Sequence, residues 1–95
     1  MTGTSSNNAI QTTKKGVVLI EQSTFSPATI TIAKGDTVTW QNKDPYLHRI
    51  VADDGSFDLG DQRQGETVKH TFTEVGIYTY TCSIHDFMKG TVVVK

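Results

Sequence analysis

The chain of 95 residues has a single cysteine, no long apolar run and almost no net charge. One cysteine, Cys82, cannot form an internal disulfide, so its thiol is either a small core side chain or a reactive or ligand group. No apolar run approaches the roughly 20 residues of a membrane span, so we expect no membrane insertion. Nine basic and ten acidic residues nearly cancel, which gives no electrostatic reason to expect binding to nucleic acid or to an anionic membrane.

The length of the chain predicts one domain, and its N-terminal end differs from the rest in composition. This end is small and polar, so residues 1–14 are predicted to form a flexible tail and residues 15–95 the folded domain. The sequence as given shows no signal peptide, which fits either a cytoplasmic protein or the mature part of an exported one.

Short strand-forming runs separated by glycine, proline and aspartate dominate the domain. In several runs apolar and polar residues alternate, as where Tyr78, Tyr80 and Cys82 share one face of a strand. The pattern predicts an all-β protein, a two-sheet antiparallel β-sandwich of about seven short strands. The predicted runs are Val17 to Gln22, Ala28 to Ile32, Thr37 to Gln41, His48 to Ala52, Thr67 to Thr73, Ile77 to Cys82 and Thr91 to Lys95.

Three potential metal ligands recur at every third residue between the last two predicted strands: Cys82, His85 and Met88. A thiolate, an imidazole and a weak thioether are donors of a one-electron copper centre, which also needs a second imidazole. The candidate is His48, at the start of a separate strand. If this strand end lies beside the Cys82 loop, the two imidazoles and the thiolate form a trigonal plane with an axial methionine, the blue-copper arrangement.

The same stretches carry a family resemblance. Residues 34–40 (Lys-Gly-Asp-Thr-Val-Thr-Trp), followed by His48, and residues 72–85 resemble the cupredoxins. The spacing Cys-x2-His-x2-Met, followed by a valine-rich strand, is most similar to that of amicyanins, whereas plastocyanins have a longer gap before the methionine. The resemblance implies a Greek-key β-sandwich of about eight strands and one copper ion that cycles between Cu(I) and Cu(II). It also implies the copper ligands His48, Cys82, His85 and Met88.

Four positions around these ligands depart from the family pattern. Arg49 replaces the asparagine that usually follows the first histidine and ties the two ligand loops together, so Ser83 is expected to hydrogen-bond across instead. Leu47 stands where proline is frequent before that histidine. Ile84 and Asp86 replace the prolines that flank the second histidine in amicyanins, and this predicts a softer loop.

The resemblance implies a small soluble electron carrier that meets redox proteins transiently. We expect a monomer located in the periplasm or elsewhere outside the cytoplasm. His85, in the loop, is expected to be the ligand at the solvent edge. The docking rim is expected to consist of Leu47, Ile84 and Phe87 with the charged Asp86, and to give the small interface of redox encounters.

Three alternatives to an electron carrier are an enzyme, a copper carrier or storage protein, and a protein with a structural zinc site. The sequence has no nucleophile elbow, phosphate loop or second metal cluster, so an enzyme is not expected. The main alternative is a copper carrier or storage protein without electron transfer, although Met-rich, His-rich and Cys-x2-Cys segments are missing. A zinc site could use the same donors except methionine. His70 matches no family ligand and is predicted to be a partly buried structural histidine.

Overall fold

A computed structural model describes residues 16–95, so the predicted tail, residues 1–14, lies outside the described part of the chain. Between residues 16 and 95 the chain forms nine strands and no helix, and none of these residues therefore belongs to a helix that could cross a bilayer. The strands are β1 (Val17–Glu21), β2 (Thr24–Ser26), β3 (Thr29–Ile32), β4 (Thr37–Asn42), β5 (His48–Ala52), β6 (Asp58–Gln62), β7 (Thr67–Thr71), β8 (Gly76–Cys82) and β9 (Lys89–Val94).

The strands form two sheets. One has five strands in the order β3-β9-β8-β5-β6, and the other has four in the order β2-β1-β4-β7. The predicted all-β sandwich is confirmed, but the expectation of purely antiparallel sheets is wrong. β1 pairs with β4 in parallel, and β9 pairs with β3 in parallel. The alternation of apolar residues reports which face of a strand is buried and carries no information on strand direction.

Two strands were not predicted, β2 and β6, and both lack ordinary strand signals. β2 has three residues and follows the turn Gln22–Ser23, in which both residues have φ of 53°. Positive φ at both central positions is typical of a type I′ hairpin turn, which usually carries Asn-Gly rather than this pair. β6 is polar, lies at a sheet edge and contains Gly60 at φ 76°, beside a register irregularity in its pairing with β5.

The core lies between the sheets, as the alternation predicted. Trp40 and Tyr80 are fully buried and their rings meet edge to face, with centroids 5.4 Å apart. Tyr80 also meets Phe25 edge to face at 4.8 Å. Because each large apolar side chain contributes on the order of 2 kcal/mol when buried, this aromatic cluster supports the strand that ends at Cys82.

His70 lies half-buried against two core aromatic rings, and its centroid is 4.7 Å from that of Phe57 and 4.8 Å from that of Phe72. Burial lowers the pKa of His70 below its ordinary value of 6.5.

Because the pKa of His70 is lower in the folded protein, the unfolded chain binds the proton of this histidine more tightly, and the free energy of unfolding should fall as the pH drops below about 6.5. We expect His70→Phe to flatten this part of the profile. Thermal unfolding of both metal-free proteins from about pH 8 to about pH 5 tests this, and equal slopes would contradict it.

Candidate metal centre

The fold brings the two predicted ligand segments to the same end of one sheet. His48 begins β5 and Cys82 ends β8, and these strands are antiparallel neighbours in which Ile50 lies opposite Cys82. Residues 83–88 form the loop that leads from β8 into β9. An antiparallel pair places the start of one strand beside the end of the other, so a pair of residues 34 positions apart can share one site.

Three donor atoms converge at this end of the sheet. The Cys82 Sγ lies 3.6 Å from Nδ1 of His48 and 3.9 Å from Nδ1 of His85. One ligand atom from each of the three residues lies within 4.8 Å of the others. Donors that surround one first-row metal ion at bond lengths of about 2.0–2.3 Å are separated by about 3.5–4 Å in a trigonal plane. The donor set and its spacing therefore fit a single copper ion.

A buried carboxylate contacts the ring nitrogen of His48 that does not face Cys82. Its Nε2 lies 2.9 Å from Oδ2 of Asp44, and both residues are almost completely excluded from solvent. Burial alone would raise the pKa of Asp44, but the amides of Ser23 and Gln22 and the His48 ring together hold that pKa below its usual value. The carboxylate therefore stays ionised and engages one ring nitrogen, while Nδ1 faces the thiol.

The segment before His48 is organised by Asn42, which is fully buried. Its side-chain oxygen accepts a hydrogen bond from the Asp44 amide at 2.8 Å, and its Nδ2 donates to the carbonyls of Tyr46 at 3.0 Å and Gln62 at 2.9 Å. The sequence analysis missed both Asn42 and Asp44. The Asn-x-Asp-Pro pattern predicts a turn before His48, but it does not indicate that Asp44 contacts the His48 ring.

Main-chain atoms tie the two ligand segments together. The Arg49 amide donates to the Cys82 sulfur at 3.5 Å, and the Arg49 carbonyl accepts from the Ser83 amide at 2.9 Å. The Arg49 side chain points elsewhere and binds Asp58 on β6, with its Nε 3.0 Å from Oδ1. The asparagine tie that the family uses is thus replaced by backbone bonds that leave the side chain at position 49 on the surface.

Met88 is buried and its backbone bonds to both neighbouring ligand residues. Its amide donates to the carbonyl of His85 at 2.9 Å, and its carbonyl accepts from the amide of Cys82 at 3.1 Å. These bonds fold the loop into a compact turn. His85 is partly exposed, whereas His48 is fully buried, as expected for a ligand at the solvent edge.

Exposed side chains flank His48 and His85 in the chain. The four predicted rim residues are all at the surface: Leu47, Ile84, Asp86 and Phe87. Phe87 is 68% exposed and its ring lies 6.1 Å from that of His85. Tyr46, which the sequence analysis did not include, is 58% exposed beside Leu47 in the chain. Four large apolar side chains are therefore exposed close to the ligand residues in the chain: Tyr46, Leu47, Ile84 and Phe87.

A model of the family described as copper binding proteins, plastocyanin/azurin family, matches residues 12–95. The chain belongs to this family. The predicted cupredoxin resemblance is therefore confirmed, and so is the predicted cofactor, one copper ion, for which the three converging donors provide a fitting site.

Curated relatives of this cupredoxin carry the names that the loop spacing suggested. It is 32% identical over 84 residues to amicyanin of Paracoccus denitrificans, a match that spans 83% of this chain and 64% of that protein. It is 33% identical over 84 residues to plastocyanin of Scenedesmus fuscus, with 75% of this chain and 86% of the plastocyanin covered. The chain thus spans less than two thirds of the amicyanin's length.

Solved structures agree with this placement. The fold superimposes on a reduced tryptophan-to-tyrosine variant of amicyanin with a TM-score of 0.80 and 29% identity, over 85% of this chain and 82% of the other. It also superimposes with a TM-score of 0.79 and 30% identity on a copper-containing nitrite reductase from Thermus scotoductus SA-01. In that case the match covers 86% of this chain and only 22% of the reductase.

Proposed function

We propose that this cupredoxin is a small electron carrier in which His48, Cys82 and His85 would hold one copper ion, with Met88 as a weak fourth ligand. The observation that supports this most strongly is the convergence of one thiol and two ring nitrogens at separations suited to a single ion. A buried thiolate with two imidazoles and a thioether is the donor set of electron-transfer copper sites. Copper supplies the one-electron Cu(I)/Cu(II) change when it is bound.

The protein's own residues prepare the site for this chemistry. The Arg49 amide donates to the Cys82 sulfur, so it stabilises the thiolate form and tunes the electron density on sulfur. The backbone bonds of Met88 hold the loop, and the fully buried His48 keeps water away from one side. Since three strong donors and one weak donor surround the proposed ion, no position remains open for a substrate. We therefore assign no catalytic residue.

Electrons would enter and leave through the partly exposed edge of His85. We propose that Leu47, Ile84 and Phe87 form the apolar docking rim, that Tyr46 extends it, and that redox partners dock there briefly over a small interface.

We further propose that residues 15–95 act as one monomeric domain outside the cytoplasm, where cupredoxins usually work. A single sedimentation boundary at the monomer mass would support the oligomeric state.

A visible spectrum tests the function. Adding Cu(II) to the metal-free protein should produce an intense blue or green band that saturates at one copper per chain, because the copper–thiolate bond is covalent. Reduction should bleach the band, and reoxidation should restore it over repeated cycles. A colourless tight complex would instead indicate zinc binding or Cu(I) cargo, and a band that never recovers after reduction would indicate copper carriage without electron transfer.

Substitution of Met88 tests its proposed role as a ligand. Met88→Gln should lower the reduction potential, because a hard amide oxygen favours Cu(II) over Cu(I), by about 59 mV for each tenfold change in relative affinity. Met88→Leu keeps an apolar side chain of similar volume without the sulfur and should raise the potential. Voltammetry of the copper-loaded variants distinguishes the two directions. Unchanged potentials in both variants would remove Met88 from the ligand set.

A further inference from the structure

The geometry points to Asp44 as a positioning residue that selects which ring nitrogen of His48 is free to bind copper. Asp44 lies in the loop between β4 and β5, outside the four proposed ligands, and it is almost fully buried. Its Oδ2 is 2.9 Å from Nε2 of His48, while Nδ1 of the same ring is 3.6 Å from the Cys82 sulfur. For its redox consequence this inference rests on the proposed copper function.

A carboxylate can only accept hydrogen bonds, so the contact requires the proton of the His48 ring to be on Nε2. The Nδ1 lone pair is then free and faces the thiol of Cys82. The opposite tautomer would leave Nε2 and the Asp44 oxygen as two acceptors in contact and would place a proton where the metal must bind. Partners behind a ligating imidazole fix its tautomer and orientation in this way.

The carboxylate is itself fixed by the hairpin turn between β1 and β2. The Gln22 amide donates to Oδ1 at 2.6 Å and the Ser23 amide donates to Oδ2 at 2.8 Å. Both turn residues have positive φ without being glycine, and this conformation presents their two amides to Asp44. Three donors therefore converge on two carboxylate oxygens. A side chain with one acceptor and one NH₂ group cannot satisfy all three.

Nitrogen NMR of the His48 ring tests the positioning role without metal. In the metal-free wild-type protein we expect the neutral His48 ring to carry its proton on Nε2. Asp44→Asn presents an NH₂ group either to a turn amide or to His48, so the population with the proton on Nδ1 should increase. A wild-type ring that carries its proton on Nδ1 would overturn the inference, and this result does not depend on how well any variant folds.

The reduction potential provides the second readout. In the copper-loaded protein, Asp44→Asn should weaken Cu(II) relative to Cu(I) by about tenfold, equivalent to a rise of about 59 mV for one electron. The matched control is Asp54→Asn, which removes the same charge beyond the opposite end of β5 and retains an oxygen to accept from the Ser56 amide. Equal shifts in the two variants, or no shift in Asp44→Asn, would overturn the inference. If the wild type forms no visible band with Cu(II), the proposed function fails while the NMR result still decides the role of Asp44.

Discussion

Cys82→Ser is expected to abolish the visible copper band while the β-sheet signal persists. A serine hydroxyl does not ionise near neutral pH and forms no copper–thiolate bond, so the intense absorption loses its source. The fold should survive, because the buried sulfur contributes little to a core centred on Trp40 and Tyr80. Visible absorption after Cu(II) addition and far-ultraviolet circular dichroism measure the two properties separately.

The neighbouring serine provides a matched control for this substitution. Ser83 contributes its backbone amide to the Arg49 carbonyl, and its side chain is exposed. Ser83→Ala retains that amide, so its copper band should match the wild-type band. Persistent colour in Cys82→Ser would show that the thiolate is not a ligand, and loss of colour in Ser83→Ala would show that the Ser83 hydroxyl supports the site.

Gly90→Ala is expected to be the most destabilising single-methyl change in the domain. A Cβ at position 90 would lie 2.3 Å from Cζ of Tyr80 and 2.4 Å from its hydroxyl oxygen. The ring cannot move aside easily, since it is fully buried against Phe25 and Trp40. We expect a loss of roughly 3 kcal/mol in the free energy of unfolding and a fall in Tm of roughly 15 °C.

Gly76→Ala is the control for backbone effects, because position 76 lies in the same sheet and lacks this steric conflict. Its added Cβ would meet the Tyr78 ring at 3.5 Å, an ordinary van der Waals contact. We expect its free energy of unfolding to stay within about 1 kcal/mol of the wild type. Thermal or urea unfolding of the two variants side by side tests the comparison. Similar losses in both would mean that the contact between Gly90 and Tyr80 is not the cause.

Most of the fold could be predicted from alternation, and the failures have physical causes. β8 is the clearest success, because Tyr80 and Cys82 are buried while Ile77 and Thr79 on the other face are exposed. β6 was missed because Leu59 is its one apolar residue, so no alternation of apolar residues marks this edge strand. Strand direction was wrong in two pairs because a crossover between sheets has no marker in composition.

The candidate site also has residues that could be predicted from the sequence and residues that could not. The spacing of Cys82, His85 and Met88 is a local property of one loop and is visible in the sequence, and His48 was predicted as the second imidazole that this donor set requires. The role of Asp44 was not predicted because it depends on the amides of Gln22 and Ser23, which lie more than 20 residues away in the chain. The turn that contains these two residues lacks the usual glycine. Local patterns indicate which side chains can bind a metal, whereas tertiary contacts decide which nitrogen does so.

The main-chain bonds at Arg49 have a consequence for how this protein could diversify. Since peptide groups rather than a particular side chain connect the Cys82 loop to β5, substitutions at position 49 other than proline leave that connection intact. Evolutionary drift, or a protein engineer, could therefore reverse the local surface charge there and alter partner preference without rebuilding the redox centre.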